Sequence, residues 1–341
     1  MARYLLVSLL VACSFSLQPT HAQSLPGQPN AGSARIVLSP AYPVPGDEVT
    51  AEFKAHMIDN ATARVVWKQG GEVVQEAIGG MEYSFTADKI GTDINLEVTA
   101  YEEDGTVTRQ TLQQEVGAVT IVWEANVYTP PFYQGRALHS PDSSVTLLAL
   151  PSVANGGGGY LDTNELVFNW HLNGSTNPTQ SGLGLRSIQT EAGTPFSALQ
   201  ASVQIARKDG VVIAIDHISI PITHPVVHFY ESHPLRGLSL HSALGRSYTM
   251  QSAESALVAE PYFMNATTRT DPELSYEWRI GTQRVSTPGS IVLRPEGQGA
   301  GTARVSLEVT HEDAWHQRAR AEGTVSFIAR GGVESTETNP I

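Results

Sequence analysis

The residues best equipped for chemistry fall in a few places. His311-Glu-Asp-Ala-Trp-His316 offers two imidazoles and two carboxylates, the donor set of a zinc hydrolase. Two His four residues apart share a helix face and can grip one metal. Here the step is five, and the segment reads as the turn of a hairpin, so no zinc site is expected. Asn155–Gly159, with four consecutive glycines, has the composition of a phosphate cradle. A cradle needs a helix N-terminus behind it and usually a Lys, whereas Asn164–Leu172 reads as a strand, so a flexible loop is expected. His217, His224, His228, His233 and His241 crowd one stretch. On a strand His224 and His228 would share a face, which leaves a surface metal site or a polar junction as alternatives. No Ser/His/Asp arrangement, facing carboxylate pair or nucleotide fingerprint is legible. The expectation is a protein that is not an enzyme, with no cofactor and no resident metal.

Any such residues would have to be positioned by strands, and the strands repeat. Trp67, Trp170 and Trp278 recur 103 and 108 residues apart. Around each, apolar residues occupy every second position: Ala63, Val65, Trp67; Leu166, Phe168, Trp170, Leu172; Leu274, Tyr276, Trp278, Ile280. Period two marks a strand with one buried face. A Gly-Thr pair follows each Trp at 91–92, 193–194 and 301–302, and opens a second alternating strand. That strand runs into Glu103-Asp104-Gly105, Lys208-Asp209-Gly210 or Glu312-Asp313-Ala314, and a last strand follows, near 108–116, 212–222 and 320–328. Asp-Gly between alternating runs signals a hairpin, because Gly accepts positive φ. The third copy lacks that Gly, which predicts a longer turn.

This order of a Trp strand, a Gly-bearing turn, and a Gly-led strand ending in an acidic turn resembles the immunoglobulin-like superfamily, and within it the PKD-like branch of bacterial surface proteins. The resemblance covers Ala34 to Ile328 and implies an all-β chain of three tandem β-sandwich domains. The Gly-Asp-Gly turn of PKD modules is replaced by Gly70-Gly71, Asn173-Gly174 and Gly281-Thr282. No Cys pair brackets any Trp, so an antibody-type disulfide is excluded.

The predicted organisation is a signal peptide at 1–22, a flexible leader at 23–33, sandwiches at 34–118, 119–223 and 224–328, and a disordered tail at 329–341. Met1-Ala-Arg-Tyr, the apolar run Leu5–Ala12 and the small Ala22 form the pattern of a secretory signal, too short to serve as a membrane span. Leu10-Val11-Ala12-Cys13 also resembles the lipobox of bacterial lipoproteins, which makes lipidation at Cys13 the alternative. After cleavage at Ala22 no cysteine remains, a pattern that favours a bacterial envelope or surface protein over a disulfide-bearing eukaryotic one. Three glycosylation-type tripeptides, at Asn60, Asn173 and Asn265, are common by chance in such chains. The remaining apolar runs are short, so the mature chain is expected to have no transmembrane segment.

The chain has a formal net charge of −13, concentrated in 34–118, where six Lys and Arg face fourteen Asp and Glu. Nothing resembles the basic patch that nucleic acid requires. The most distinctive stretches outside the Trp strands are the two repeat openings, Val122–Gly135 and Val226–Gly237. Tyr128 and Gly135 match Tyr230 and Gly237 at one offset. Two readings follow. In the first, the rings wedge neighbouring sandwiches together, and the protein is a structural or adhesive component of the cell surface, for example in a pilus-type assembly, with other envelope proteins as partners. In the second, Trp123, Tyr128, Phe132, Tyr133, Phe229 and Tyr230 form an exposed patch for a glycan or envelope polymer. Exposure of several rings together would favour the second, and burial between sandwiches the first. Short junctions further predict sandwiches stacked end to end.

Overall fold

A computed structural model describes residues 34–327, apart from 57, 191–195, 234, 251, 253 and 296–298. The signal, the leader, Cys13, the tail and the Gly193-Thr194 pair lie outside the described residues.

The first seven strands are β1 (Arg35–Ser39), β2 (Glu48–Lys54), β3 (Arg64–Gln69), β4 (Glu72–Ile78), β5 (Glu82–Thr86), β6 (Asp93–Tyr101) and β7 (Val107–Glu115). They pair as a three-stranded sheet β1-β2-β5 and a four-stranded sheet β4-β3-β6-β7. Next come β8 (Ala118–Ala125), β9 (Val145–Ser152), β10 (Val167–Leu172), β11 (Ser175–Thr176), β12 (Gly182–Leu183), β13 (Ser187–Gln189), β14 (Leu199–Ala206) and β15 (Val212–Ile220). Their sheets are β8-β9-β13 and β11-β10-β14-β15, with β12 also on β10.

The last group is β16 (Val226–His233), β17 (Gly237–Leu238), β18 (Ser247–Met250), β19 (Ser255–Tyr262), β20 (Leu274–Ile280), β21 (Gln283–Val285), β22 (Ser290–Leu293), β23 (Gly301–His311) and β24 (Arg318–Phe327). Its sheets are β17-β16-β19-β22 and β18-β24-β23-β20-β21. All pairs are antiparallel except β18 with β24. In each group the first, second and fifth principal strands make one sheet, and the Trp strand with the final hairpin makes the other. That is the immunoglobulin and fibronectin-III arrangement, and the chain is an all-β series of such sandwiches.

Three separate hydrophobic cores result, each centred on a fully buried Trp. Alternation explains them: Val65 and Trp67 on β3, Phe168 and Trp170 on β10, and Tyr276 and Trp278 on β20 face inward while their neighbours face out. The indole N–H is also used. Trp67 Nε1 donates to Gly80 O at 2.9 Å, Trp170 Nε1 to Leu185 O at 3.0 Å and Trp278 Nε1 to Thr287 O at 3.1 Å. Each acceptor lies just ahead of the fifth principal strand, so every Trp fastens the Trp-bearing sheet to the entry of the other.

Gly105 and Gly210 sit at φ +87° and +89° in the hairpins that close the first two sandwiches. The third turn spans 312–317 and is longer, as the missing Gly predicts. Here His311 Nδ1 accepts from the backbone N–H of Asp313 at 3.1 Å and of Ala314 at 2.9 Å. A side chain thus closes the turn. The strand expected from Asn164 begins instead at Val167. Asp162 accepts from Asn164 N at 2.8 Å and winds Thr163–Glu165 into a short 3-10 turn.

Candidate functional site

The connection from β8 to β9 runs from 126 to 144, and much of it packs on the third sandwich rather than on its own. Tyr128 forms an antiparallel bridge with Met264: Tyr128 N donates to Met264 O at 2.7 Å, and Phe263 N to Tyr128 O at 2.8 Å. Phe263 meets this register at φ +64°, an uncommon conformation for a bulky residue. The Tyr128 phenol donates to Glu260 Oε2 at 2.9 Å, and Glu260 Oε1 accepts from Arg269 Nη1 at 2.7 Å. Glu260 is only 3% exposed, so both bonds offset the cost of burying its carboxylate. Burial, and then the Glu260 charge, raise the Tyr128 pKa well above its ordinary value, which keeps the phenol a donor.

Rings complete the contact. Phe132 meets Tyr230 edge-on with centroids 5.3 Å apart, and Tyr133 meets Tyr262 at 5.6 Å and Phe263 at 5.7 Å. The Tyr230 and Tyr262 hydroxyls lie 2.7 Å apart, and desolvation followed by that hydrogen bond raises the Tyr262 pKa. Pro130 is buried, and Tyr133 N donates back to its carbonyl at 2.8 Å, which fixes the turn that aims both rings.

A second polar clasp lies at 139–144. Gln317, fully buried, donates through Nε2 to Ser140 Oγ at 2.9 Å and to Pro141 O at 2.5 Å, while its Oε1 accepts from Asn265 N. His316 Nδ1 lies 2.9 Å from Asp142 Oδ2, and Asp142 holds φ +59°. His139, 2% exposed, meets Ser143 Oγ at 3.0 Å through Nδ1, and its carbonyl accepts from the linker residue Thr223 at 2.7 Å. Desolvation lowers the His139 pKa. The first junction is different. Only Val116 and Gly117 separate β7 from β8, and a methyl group on Gly117 would overlap Ile213. Arg207 pairs with Glu115 and donates to Ala154 O at 3.2 Å.

These contacts place the residues singled out by sequence. Trp67, Trp170 and Trp278 are core residues. Tyr128, Phe132 and Tyr133 are half-buried between the second and third sandwiches. Trp123 packs on the second core with the Arg136 guanidinium 4.7 Å above its ring. Phe229 and Tyr230 correct the reading of an exposed patch. Phe229 is 6% exposed and stacks on Trp278 at 5.4 Å, and Tyr230 is 5% exposed beneath Phe132.

The rings that do face solvent were not picked out as such. Trp315 is 76% and Phe196 84% exposed, and they flank His316 at 4.1 Å and 5.2 Å. The Gly-rich loop folds on itself, with Asn155 Oδ1 accepting from Gly157 N and Gly159 N. Among the described residues no three His, Cys, Asp or Glu are placed to hold a metal, and no helix is long and apolar enough to cross a membrane. His228 lies instead against the Tyr262 ring at 5.5 Å.

No protein-family model matches the chain, and no curated protein matches it. Solved structures do. The three N-terminal domains of the bacteriophage RB49 Highly Immunogenic Outer Capsid protein are 12% identical, covering 88% of this chain and 100% of that one, with a TM-score of 0.25. The central fibronectin-III array of RIM-binding protein is 10% identical over 89% of this chain and 100% of its own, with a TM-score of 0.29. A Bacteroides ovatus SGBP-B, solved with a mixed-linkage heptasaccharide, is 13% identical over 90% of this chain and 69% of its own, with a TM-score of 0.22. Likeness at this level speaks to fold alone and adds nothing to what the sheet order shows.

Proposed function

We propose that this chain is a non-enzymatic, exported structural or adhesive protein, a spacer or docking component of the bacterial cell envelope or surface, for example in a pilus-type assembly. One observation carries the reading: the junction residues that could have formed a ligand site are used to fasten one sandwich to the next. Tyr128, Phe132, Tyr133, Ser140, Asp142 and Gln317 all have their partners across the second junction. A protein whose most elaborate side-chain chemistry lies between its modules is built to hold them in a set relation. Crosslinking in intact source cells followed by mass spectrometry tests it. The expected result is recovery in the envelope or surface fraction, joined to other exported proteins. Recovery as a free cytoplasmic protein would remove the reading.

Glycan or envelope-polymer binding is the second reading, favoured by the exposed Trp315 and Phe196 beside His316. Calorimetry with soluble envelope polysaccharides tests it. Heat of binding that Trp315→Ala abolishes would establish this activity.

A further inference from the structure

The three sandwiches treat one sheet edge differently. Beside the Trp strand, the second sandwich ends in the two-residue β11 and the third in the three-residue β21, so little edge is left to pair. The first sandwich ends in β4, seven residues long and hydrogen-bonded only to β3. Its aliphatic side chains are out in solvent: Val73 is 56%, Val74 40% and Ile78 71% exposed. No Pro or Lys guards the strand, whose sequence is Glu-Val-Val-Gln-Glu-Ala-Ile.

Register shows what the edge offers. Ala77 and Gln75 oppose Val65 and Trp67 and so share the core face, whereas Ile78, Glu76 and Val73 oppose Arg64, Val66 and Lys68 on the outer face. Gly79 N donates to Ala63 O, so the main chain of Gly79, Ala77 and Gln75 is turned to β3. Alternation leaves the N–H and C=O of Ile78 and Glu76 directed outward, ready for another strand.

The chain's own ends do not fit that slot. Residues 23–33 and 329–341 are rich in Gly, Pro, Ser, Thr and Asn and lack alternating apolar residues. A second copy does fit. Two-fold antiparallel pairing about Ala77 sets each Glu76 opposite the partner's Ile78 and joins the outward main-chain groups. Small Ala77 meets its own copy, and no two carboxylates stand directly opposed. Each Glu76 is held by its own Arg64 at 2.6 Å.

We propose that the chain forms a two-fold dimer through antiparallel β4 pairing in this register, a lateral contact beyond the spacer role. Because 34–118 carries fourteen acidic residues against six basic ones, the two sandwiches repel, and added salt strengthens the contact. Analytical ultracentrifugation of the full chain over a concentration and salt series tests it. A reversible monomer–dimer equilibrium is expected, tighter at high salt. Ile78→Glu puts two carboxylate pairs in opposition and should weaken the dimer roughly tenfold. Ile78→Lys, facing Glu76, should keep or tighten it, and Glu76→Pro should break it by removing an outward N–H. The Trp67 near-ultraviolet circular dichroism band checks that each variant folds. A monomer at every concentration, open-ended oligomers, or equal effects of Ile78→Glu and Ile78→Lys would overturn the proposal.

Discussion

Tyr128→Phe isolates the polar half of the second junction. The change removes one oxygen and keeps the ring, the main-chain bridge to Met264 and the neighbouring Phe132 and Tyr133 contacts. What it takes away is the 2.9 Å bond to a carboxylate that is only 3% exposed and has Arg269 as its other partner. A hydrogen bond to a charged group contributes about 1.5–3 kcal/mol, and a value near 2 kcal/mol corresponds to roughly a 30-fold shift toward the undocked junction. Global unfolding would dilute that effect over three cores. Amide hydrogen exchange resolves it, because the Tyr128 and Phe263 N–H groups bond across the junction and exchange when it opens. Both should exchange roughly 30-fold faster in the variant, while amides of β10 and β23 stay unchanged. In a Glu260→Gln background the same substitution should have a much smaller effect. Unchanged exchange at Tyr128 and Phe263, or a uniform rise across all strands, would refute the idea that this bond holds the junction shut.

The cores give a sharper, local outcome. Trp170→Ala should cost about 3–5 kcal/mol in the second sandwich and leave the melting of the others nearly unchanged in calorimetry. Acid should loosen the region around His139. Burial lowers its folded pKa, so its stabilising contribution is complete above the unfolded value of about 6.5 and is lost as pH falls below that. Urea midpoints measured from pH 7.5 to 5 should fall in the parent and flatten in His139→Gln. Replacing Pro130, Pro131 and Phe132 with Gly-Ser-Gly should free the 126–144 segment. Small-angle scattering should then show a radius of gyration larger by ~2 Å or more, as a flexible connection allows.

Much of the framework could be read from period-two alternation, since each Trp strand, each final hairpin and even the longer third turn follow from residue spacing. What spacing did not carry was the acceptor of each indole. Gly80, Leu185 and Thr287 share no side-chain type, because a main-chain carbonyl does the work. The turn at His311 was read as the loss of a Gly, and the imidazole that closes it was invisible for the same reason: its partners are backbone N–H groups. The aromatic junction was legible as composition but not as direction. Phe229 and Tyr230 are adjacent on β16, so they point to opposite faces, yet both are buried. That requires cover on both sides of the strand. β19 has the same property, with Leu257 to Tyr262 all buried. Its unbroken run of low-alternation residues was the available clue that a second layer, the 126–144 segment, lies over this sheet.

The two junctions hold by different physics, and this makes their stiffness separable. At the first, β7 and β8 are two residues apart, and Gly117 and Gly91 admit Ile213 and Ala154 where any side chain would collide. Bending there means displacing close-packed atoms, so resistance comes from volume and is insensitive to charge. At the second, β15 and β16 are joined by 221–225, and restraint comes from a returning loop with a Tyr–Glu–Arg chain, a Gln clasp and an Asp–His pair. Those bonds depend on directed donors and acceptors, and each can be removed singly without emptying a core. A Gly117→Ala change and a Gln317→Ala change should therefore not be interchangeable. The first strains a contact that cannot relax without moving Ile213. The second leaves Asn265 N–H and the Ser140 and Pro141 oxygens without their partner, a cost of about 1–3 kcal/mol for each buried group. An array built this way can keep one joint rigid under all conditions while the other answers to its polar surroundings.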